Sequence, residues 1–372
     1  MSTTIALLSC QSYEPALVQE KVRQAVDSLG GIRAFIKPGC RVLVKPNLLM
    51  AKDPEAGITT HPEVVRAVVK LLKEIDCTIF LGDGPSVWGE VAQKIAEVYE
   101  TTGMQRVARE EGVELVSFDK RSWRGVFPLT TWLEKVDCWV NIPKFKTHDL
   151  TTLTGALKNS YGLVSGTYKV ELHKRYFDAV DFAKVVVDIH EAAQPQLTVI
   201  DGVLAMEGSG PGTSGKRRWA KVLCAGKDCV AVDAVLAKIM GVEPRSVPMI
   251  KEAAARSLGV ADLRQITITG ESIEQVAKTP FLLPATSFKK KLPRPLVELA
   301  KGLIRYYPFI IQGRCTKCGT CVSACPQRVI SLRNGSTTID RKKCISCFCC
   351  KESCPAAAIE LRKSLFTKLA GL

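Results

Sequence analysis

The sequence predicts an α/β body on a mostly parallel sheet, followed by a small cysteine-rich C-terminal domain. Three observations carry that reading. Short apolar runs alternate with amphipathic helical periods, the runs are apolar at successive positions, and nine of the fifteen cysteines crowd between Cys315 and Cys354. A strand that is apolar on both faces belongs to a parallel sheet covered by helices on both sides. Cysteines packed in short, regularly spaced runs belong to a metal centre kept reduced, whereas disulfide frameworks characterise small secreted chains.

The elements follow in order. Thr4–Ser9 reads as the first strand, and Pro15–Leu29 as a helix with Leu17, Val18, Val22 and Val26 on one face. Cys40–Lys45 is a second strand, ending at Pro46-Asn47. His61–Ile75 is a helix with Pro62 in its first turn, where a missing N–H does no harm, and His61 is its capping residue. Thr78–Gly82 is a third strand ending at Asp83-Gly84-Pro85; Leu115–Phe118, Cys138–Ile142 and Leu197–Ile200 continue the series. With 372 residues, 46% of them hydrophobic, the chain has room for two or three domains and a sizeable core. The body spans residues 1–279. Residues 280–313 form a linker broken by Pro280, Pro284, Pro293, Pro295 and Pro308, with a basic amphipathic helix at Leu296–Tyr307. Residues 314–372 form the cysteine-rich domain. No run approaches the roughly 20 apolar residues that span a bilayer, and the first residues lack a basic leader, so the expected location is cytoplasmic. Packing of the basic helix's Leu, Ile and Tyr face against the body is the commoner fate of such a helix, with peripheral contact at a membrane surface as the alternative.

The net charge of +15 is unevenly placed. Residues 286–372 hold 17 Lys and Arg against 4 Asp and Glu, while the rest of the chain is close to neutral. A basic tail on a neutral body suits an acidic electron-carrier protein of ferredoxin or flavodoxin type, with contact weakened by salt. No nucleic-acid-reading motif accompanies the charge, so nucleic acid is not an expected partner.

Two cysteine runs match each other: Cys315-x2-Cys318-x2-Cys321-x3-Cys325-Pro326 and Cys344-x2-Cys347-x2-Cys350-x3-Cys354-Pro355. This is the bacterial two-cluster spacing, in which the fourth cysteine of each run ligates the other [4Fe–4S] cluster. Cluster 1 then takes Cys315, Cys318, Cys321 and Cys354, and cluster 2 takes Cys344, Cys347, Cys350 and Cys325. Zinc ribbons use two Cys-x2-Cys pairs, not a duplicated triplet followed by x3-Cys-Pro. Cys349 is a ninth cysteine beside Cys350; spacing favours Cys350 as the ligand and Cys349 as a bystander, with substitution by Cys349 after a slip of the loop as the alternative. Val329–Leu332 and Ile359–Leu361 supply the short strands of the module. The fold class is therefore a three-layer α/β body with a C-terminal ferredoxin-like two-cluster domain.

Several body segments carry a resemblance: Lys45-Pro46-Asn47-Leu48-Leu49, Asn141 through His148, Leu153 through Asn159, and Val199 through Pro211. With them the chain resembles domain-of-unknown-function family 362, in its iron–sulfur cluster-binding branch. That resemblance implies an α/β body with a C-terminal two-cluster module and names no substrate. The body is also distantly similar to the N-terminal region of lactate racemases, an analogy of fold.

Direct reading of the residues gives a candidate site. Lys45 and Asn47 end a strand, where open α/β sheets place their ligands; a strand-end lysine paired with an acid is the structural alternative. Lys144, Lys146 and His148 follow the strand end at Ile142, with Lys158 and Asn159 soon after. Such a set suits a small anionic substrate such as a carboxylate or phosphate. Asp201 and Glu207 lie past Ile200 and would serve His148 in acid–base work or hold a metal, with turn-capping acids as the alternative. Asp83 carries the same ambiguity. His173 and His190 read as helix-surface residues. Gly210-x4-Gly215-Lys216 lacks the Ser or Thr of a P-loop and reads as a glycine-rich lid.

Three functions follow. The first is an oxidoreductase passing electrons from a low-potential carrier through two [4Fe–4S] clusters to a small anion in the body. The second is a non-enzymatic electron-transfer or adaptor protein. The third is a metal-dependent, racemase-like enzyme with structural or sensing clusters. A cysteine domain packed over the lysine and histidine loops favours the first, and a detached one the second.

Overall fold

The computed structural model describes residues 3–85, 91–166, 168–176, 178–284, 306–333 and 335–363. The strands of the body are β1 (Thr3–Ser9), β2 (Arg41–Pro46), β3 (Thr78–Leu81), β4 (Glu114–Leu115), the hairpin β5 (Arg121–Arg124) and β6 (Phe127–Thr130), β7 (Cys138–Ile142), β8 (Lys144–His148), β9 (Thr152–Thr154), β10 (Leu197–Gly208), β11 (Gly215–Gly226) and β12 (Ile266–Gly270). One ten-stranded sheet runs in the order β12-β1-β11-β10-β7-β2-β3-β4, with β8 and β9 branching from β10. From β10 through β7, β2 and β3 to β4 every pair is parallel. Only β11 is antiparallel to both of its neighbours, β1 and β10.

Alternate residues of one strand enter different cores, which is why the strands read as continuously apolar. In β1, Ile5 and Leu7 join one cluster while Ala6 and Leu8 join the other. The first core is closed by the helices Ala179–Ala192, Cys229–Ile239 and Pro248–Ala255. The second is closed by Pro15–Asp27 and Pro62–Lys73. The body is thus three layers, as the sequence predicts.

Two differences from the sequence reading matter for the site. The strand beginning at Leu197 does not stop at Ile200 but continues to Gly208, paired with β11 as far as Gly208↔Gly215. Asp201 ends nothing, because its carboxylate finds partners inside the protein and the strand continues past it. Gly202 permits this, since a Cβ there would lie 2.8 Å from the Val222 carbonyl. Gly215, read as the end of a lid, instead opens β11.

The cysteine domain has two small ladders. β13 (Tyr306–Ile310) pairs antiparallel with β16 (Ile359–Lys363), and β14 (Ile330–Arg333) with β15 (Ser336–Ile339). Tyr306–Ile310, placed by sequence in the linker and its basic helix, is therefore a strand: the alternating buried positions Tyr306, Pro308 and Ile310 pack inward as a strand's would. The remainder of the expected helix, 296–305, lies outside the described residues.

Buried histidines make the fold acid-sensitive. Burial lowers His190 to about 4, its Nδ1 lying 3.2 Å from Ser160 Oγ, and burial likewise lowers His61 to about 4. A histidine depressed in the folded state contributes stability above its unfolded value, about 6.5, and loses it as pH falls toward 4. Each is expected to cost roughly 2 kcal/mol between pH 7.5 and pH 5. Urea midpoints across that range check this; His190→Gln should show a shallower decline than the parent chain.

Candidate functional site

Sheet register assembles the site. Lys45 is the register partner of Asn141, Asp201 of Lys144 and Met206 of Lys146, so the polar ends of β2, β7, β8 and the middle of β10 meet. Lys45, Lys144, Lys146, His148 and Asp201 are all fully or almost fully buried.

Two of the lysines are committed to acids. Lys45 Nζ lies 2.6 Å from Asp83 Oδ1, and Gly162 packs so closely that a Cβ would meet Lys45 Nζ at 2.4 Å. Lys144 Nζ donates to Asp201 Oδ2 at 2.8 Å and to the Tyr13 hydroxyl at 2.9 Å. Tyr13 in turn donates to Asp201 Oδ1 at 2.6 Å, and the His61 N–H donates to Asp201 Oδ2 at 2.7 Å. Tyr13 stacks flat on His61, with ring centroids 3.6 Å apart. Asp201 is thus the acceptor of a closed network, which is a structural task. Tyr13 was not foreseen, because nothing in its local sequence marks a tyrosine whose partner lies 188 residues away.

Asn47 and Asn159 are brought together: Asn47 Nδ2 donates to Asn159 Oδ1 at 2.9 Å, and Asn159 Nδ2 donates to Asn141 Oδ1 at 2.8 Å. Glu207 joins none of this. It forms an ion pair with Arg218 at 2.8 Å and accepts the Leu282 N–H, so its assignment to catalysis is withdrawn.

Lys146 and Lys158 differ from the paired lysines. Lys146 Nζ donates to the Ile58 carbonyl at 2.7 Å; burial, with Lys158 and Lys144 nearby, lowers it to about 7. Lys158, partly buried, holds its ammonium over the Tyr161 ring at 5.4 Å and the Phe182 ring at 5.7 Å. Lys169, which sequence did not single out, donates to the Gly84 carbonyl and is lowered to about 8 by burial.

His148 Nδ1 accepts from the backbone N–H groups of Leu150 and Thr151 at 3.1 and 3.3 Å. Its proton therefore sits on Nε2, which lies 3.4 Å from Glu352 Oε1. Glu352 belongs to the cysteine domain, in the short helix Cys349–Glu352. The two parts of the chain are in contact here. Lys351 forms an ion pair with Asp149 and donates to the Ser209 carbonyl at 2.9 Å. Thr213 Oγ1 donates to the Cys354 carbonyl at 2.6 Å, and a Cβ on Gly212 would lie 2.8 Å from the Glu352 carbonyl. The segment read as a lid is part of this seam.

The eight expected cysteine ligands fall into two groups. Cys325, Cys344, Cys347 and Cys350 line one cavity, and Cys315, Cys318, Cys321 and Cys354 line another. Each cavity draws its fourth cysteine from the other run. Four cysteines around each cavity suit the four corners of a cubane. Cys349 lines neither cavity; it faces a third, of about 210 Å³, at the seam with Met50, Tyr161, Lys169, His173 and Glu352. His173 and His190 are buried, not on helix surfaces, because their helices pack against Phe182 and Ser160.

Comparison with known proteins agrees with this architecture. Residues 307–355 match the 4Fe-4S dicluster domain, making this an iron–sulfur protein by its C-terminal domain. The chain is 34% identical over 268 residues to the thylakoid-associated protein sll1697 of Synechocystis sp., covering 70% of this chain and 81% of that protein. Among solved structures, the apoprotein of lactate racemase from Thermoanaerobacterium thermosaccharolyticum aligns with a TM-score of 0.41 and 12% identity, over 64% of this chain and 57% of that one. No helix among the described residues is long and apolar enough to cross a membrane. Residues 42–238 match the domain of unknown function DUF362, and the chain belongs to that family.

Proposed function

We propose that this protein is an iron–sulfur oxidoreductase that delivers electrons to a small anionic substrate held at the seam between body and cysteine domain. The observation that carries it is the seam itself: Lys351, Glu352 and Cys354 pack directly on Asp149, His148 and Thr213. A carrier alone has no need to press its cluster loop onto a cavity lined by Lys169, His173 and Glu352. Cluster 1 would be held by Cys315, Cys318, Cys321 and Cys354, and cluster 2 by Cys344, Cys347, Cys350 and Cys325. When assembled, such centres supply single electrons at low potential.

The chain's own residues supply the rest. Lys146 and Lys158 hold the anion, with Lys45, Lys144, Asn47 and Asn159 fixing the floor beneath them. Lys146, lowered to about 7, is a proton donor matched to neutral pH, as is Glu352, which burial raises to about 7. His148 keeps a proton on Nε2 beside it. The carrier would dock on the exposed basic residues around exposed Cys318, among them Arg314, Lys317 and Arg328.

Reoxidation of the dithionite-reduced full chain by its substrate should slow as pH rises through about 7, where Lys146 loses its proton. Lys146→Met should lower the rate by roughly a hundredfold and flatten that limb. An unchanged rate and pH profile in this variant would remove Lys146 from the reaction.

A second reading is favoured by Lys45 and Lys144, whose acid partners give them structural work. On it the protein is a non-enzymatic electron-transfer protein, and the name of the Synechocystis relative would place it at a membrane surface. The racemase-like reading gains nothing here, because Asp201 and Glu207 are each bound elsewhere and do not meet His148.

A further inference from the structure

The seam cavity has a lining that electron delivery alone does not explain. Its walls are largely apolar, from Met50, Val170 and Tyr161 in the body to Pro355 in the cysteine domain, and its volume is about 210 Å³. An engineered cavity of about 150 Å³ holds benzene, so this one suits an aromatic ring bearing a short side chain.

Among the described residues two buried side-chain atoms of that lining lack a hydrogen-bond partner, Glu352 Oε1 and His173 Nδ1, and only the second can donate to an anion. His173 is only 7% exposed, its ring flat on Phe182 at 4.4 Å and edge-on to Tyr161 at 5.6 Å. Its buried Nδ1 meets no hydrogen-bonding partner among the described residues. A buried polar atom left unsatisfied is costly, and a ligand oxygen would satisfy it. Burial lowers His173 to about 3, so at neutral pH the ring is uncharged and offers a hydrogen bond without charge.

Charge comes from elsewhere. Lys45, Lys146, Lys158 and Lys169 act on one another in this region against two carboxylates, Asp83 and Glu352. Glu97 also lines the cavity, and it is exposed. The lining is therefore positive at Lys169, with Lys158 behind the Tyr161 ring, and apolar on the other side. An inorganic oxyanion would waste the apolar wall, and a neutral ring would waste the lysine.

Resting on the reading that the seam holds the substrate, we propose that this cavity binds a compact, aromatic or similarly apolar-bodied monocarboxylate. Its body lies among Met50, Val170 and Tyr161, its carboxylate on Lys169, the lysine of the lining, with His173 Nδ1 donating to one oxygen.

The test is binding to the oxidised, cluster-loaded full chain, free of any turnover. Cinnamate, cinnamyl alcohol and inorganic phosphate are compared by equilibrium dialysis under anaerobic conditions. Cinnamate should bind saturably at one site, the alcohol at least tenfold more weakly, and phosphate should not displace cinnamate. Lys169→Met and His173→Gln should each weaken cinnamate about tenfold while iron content and visible spectrum stay as in the parent. Met50→Trp, a loop substitution that fills the cavity, should abolish binding, and it decides the matter if either polar variant fails to fold. Equal affinity for acid and alcohol, displacement by phosphate, or full affinity in Met50→Trp overturns the proposal. Saturable binding without reoxidation of reduced clusters supports the cavity and counts against the electron-delivery reading. Reoxidation without saturable binding overturns the cavity and leaves that reading standing.

Discussion

Cys350→Ser is expected to lose about half of the iron bound by the parent chain, while Cys349→Ser keeps it all. The two cysteines are neighbours in sequence, yet they face different spaces. Cys350 shares a cavity with Cys325, Cys344 and Cys347, whereas Cys349 lines the seam toward the body. The effect on folding should be large as well. The apolar core of the cysteine domain consists of Ile310, Ile330, Cys350, Cys354, Ala358 and Ile359, with a few partly buried neighbours. So small a core cannot hold a fold by itself, and in such domains the binding free energy of the metal centre is folding free energy. Iron and acid-labile sulfide analysis, with circular dichroism of the same samples, checks this. Loss of iron in Cys349→Ser and retention in Cys350→Ser would reverse the ligand assignment.

Asp149→Ala should loosen the seam by about 3–5 kcal/mol, the usual result of stripping the partner from a buried charge. Lys351 is 4% exposed and Asp149 2%. Without the carboxylate, the ammonium keeps the Ser209 carbonyl at 2.9 Å as its hydrogen-bond acceptor among the described residues, in a place with little water. The double variant Asp149→Ala with Lys351→Met removes both charges and should recover most of the loss, since two absent charges need no desolvation. Hydrogen exchange over residues 147–149 and 208–213 reads the seam directly. Fast exchange in the single variant and near-parental exchange in the double is the expected pattern; equal protection in all three would show that the ion pair does not hold the parts together.

Much of the fold was legible because it rests on local rules. Strands apolar at successive positions announced a sheet covered on both faces, and Pro62 after His61 announced a helix start. The cysteine runs were legible for a similar reason: wrapping three corners of a cube in one loop fixes the spacing. The lysine cluster was visible as residues but not as partners. Whether Lys144 holds a substrate or an internal acid depends on Asp201 and Tyr13, and only the sheet register brings those together. Asp201 and Gly202 resemble a strand end in sequence because a turn and a satisfied internal carboxylate use the same residue types. His173, Lys351 and Glu352 could not be singled out, since their importance arises where two separately folded parts touch. Asp233 was equally hidden, because its partners lie 76 and 77 residues away within the body. It is fully buried, raised to about 7 by that burial, and it accepts the N–H groups of Ala156 and Leu157 at 2.6 and 3.0 Å to start the turn that presents Lys158.

The most direct measurement is anaerobic and spectroscopic. The full chain is purified with its clusters intact, reduced with dithionite, freed of excess reductant, and mixed with a panel of small carboxylates and, separately, an oxidised ferredoxin-type carrier. If body and clusters form one redox enzyme, at least one small anion will restore the oxidised visible spectrum, and Lys146→Met will slow that return. If only the protein carrier restores it and every small molecule fails, the body is a docking module and the enzyme account is wrong.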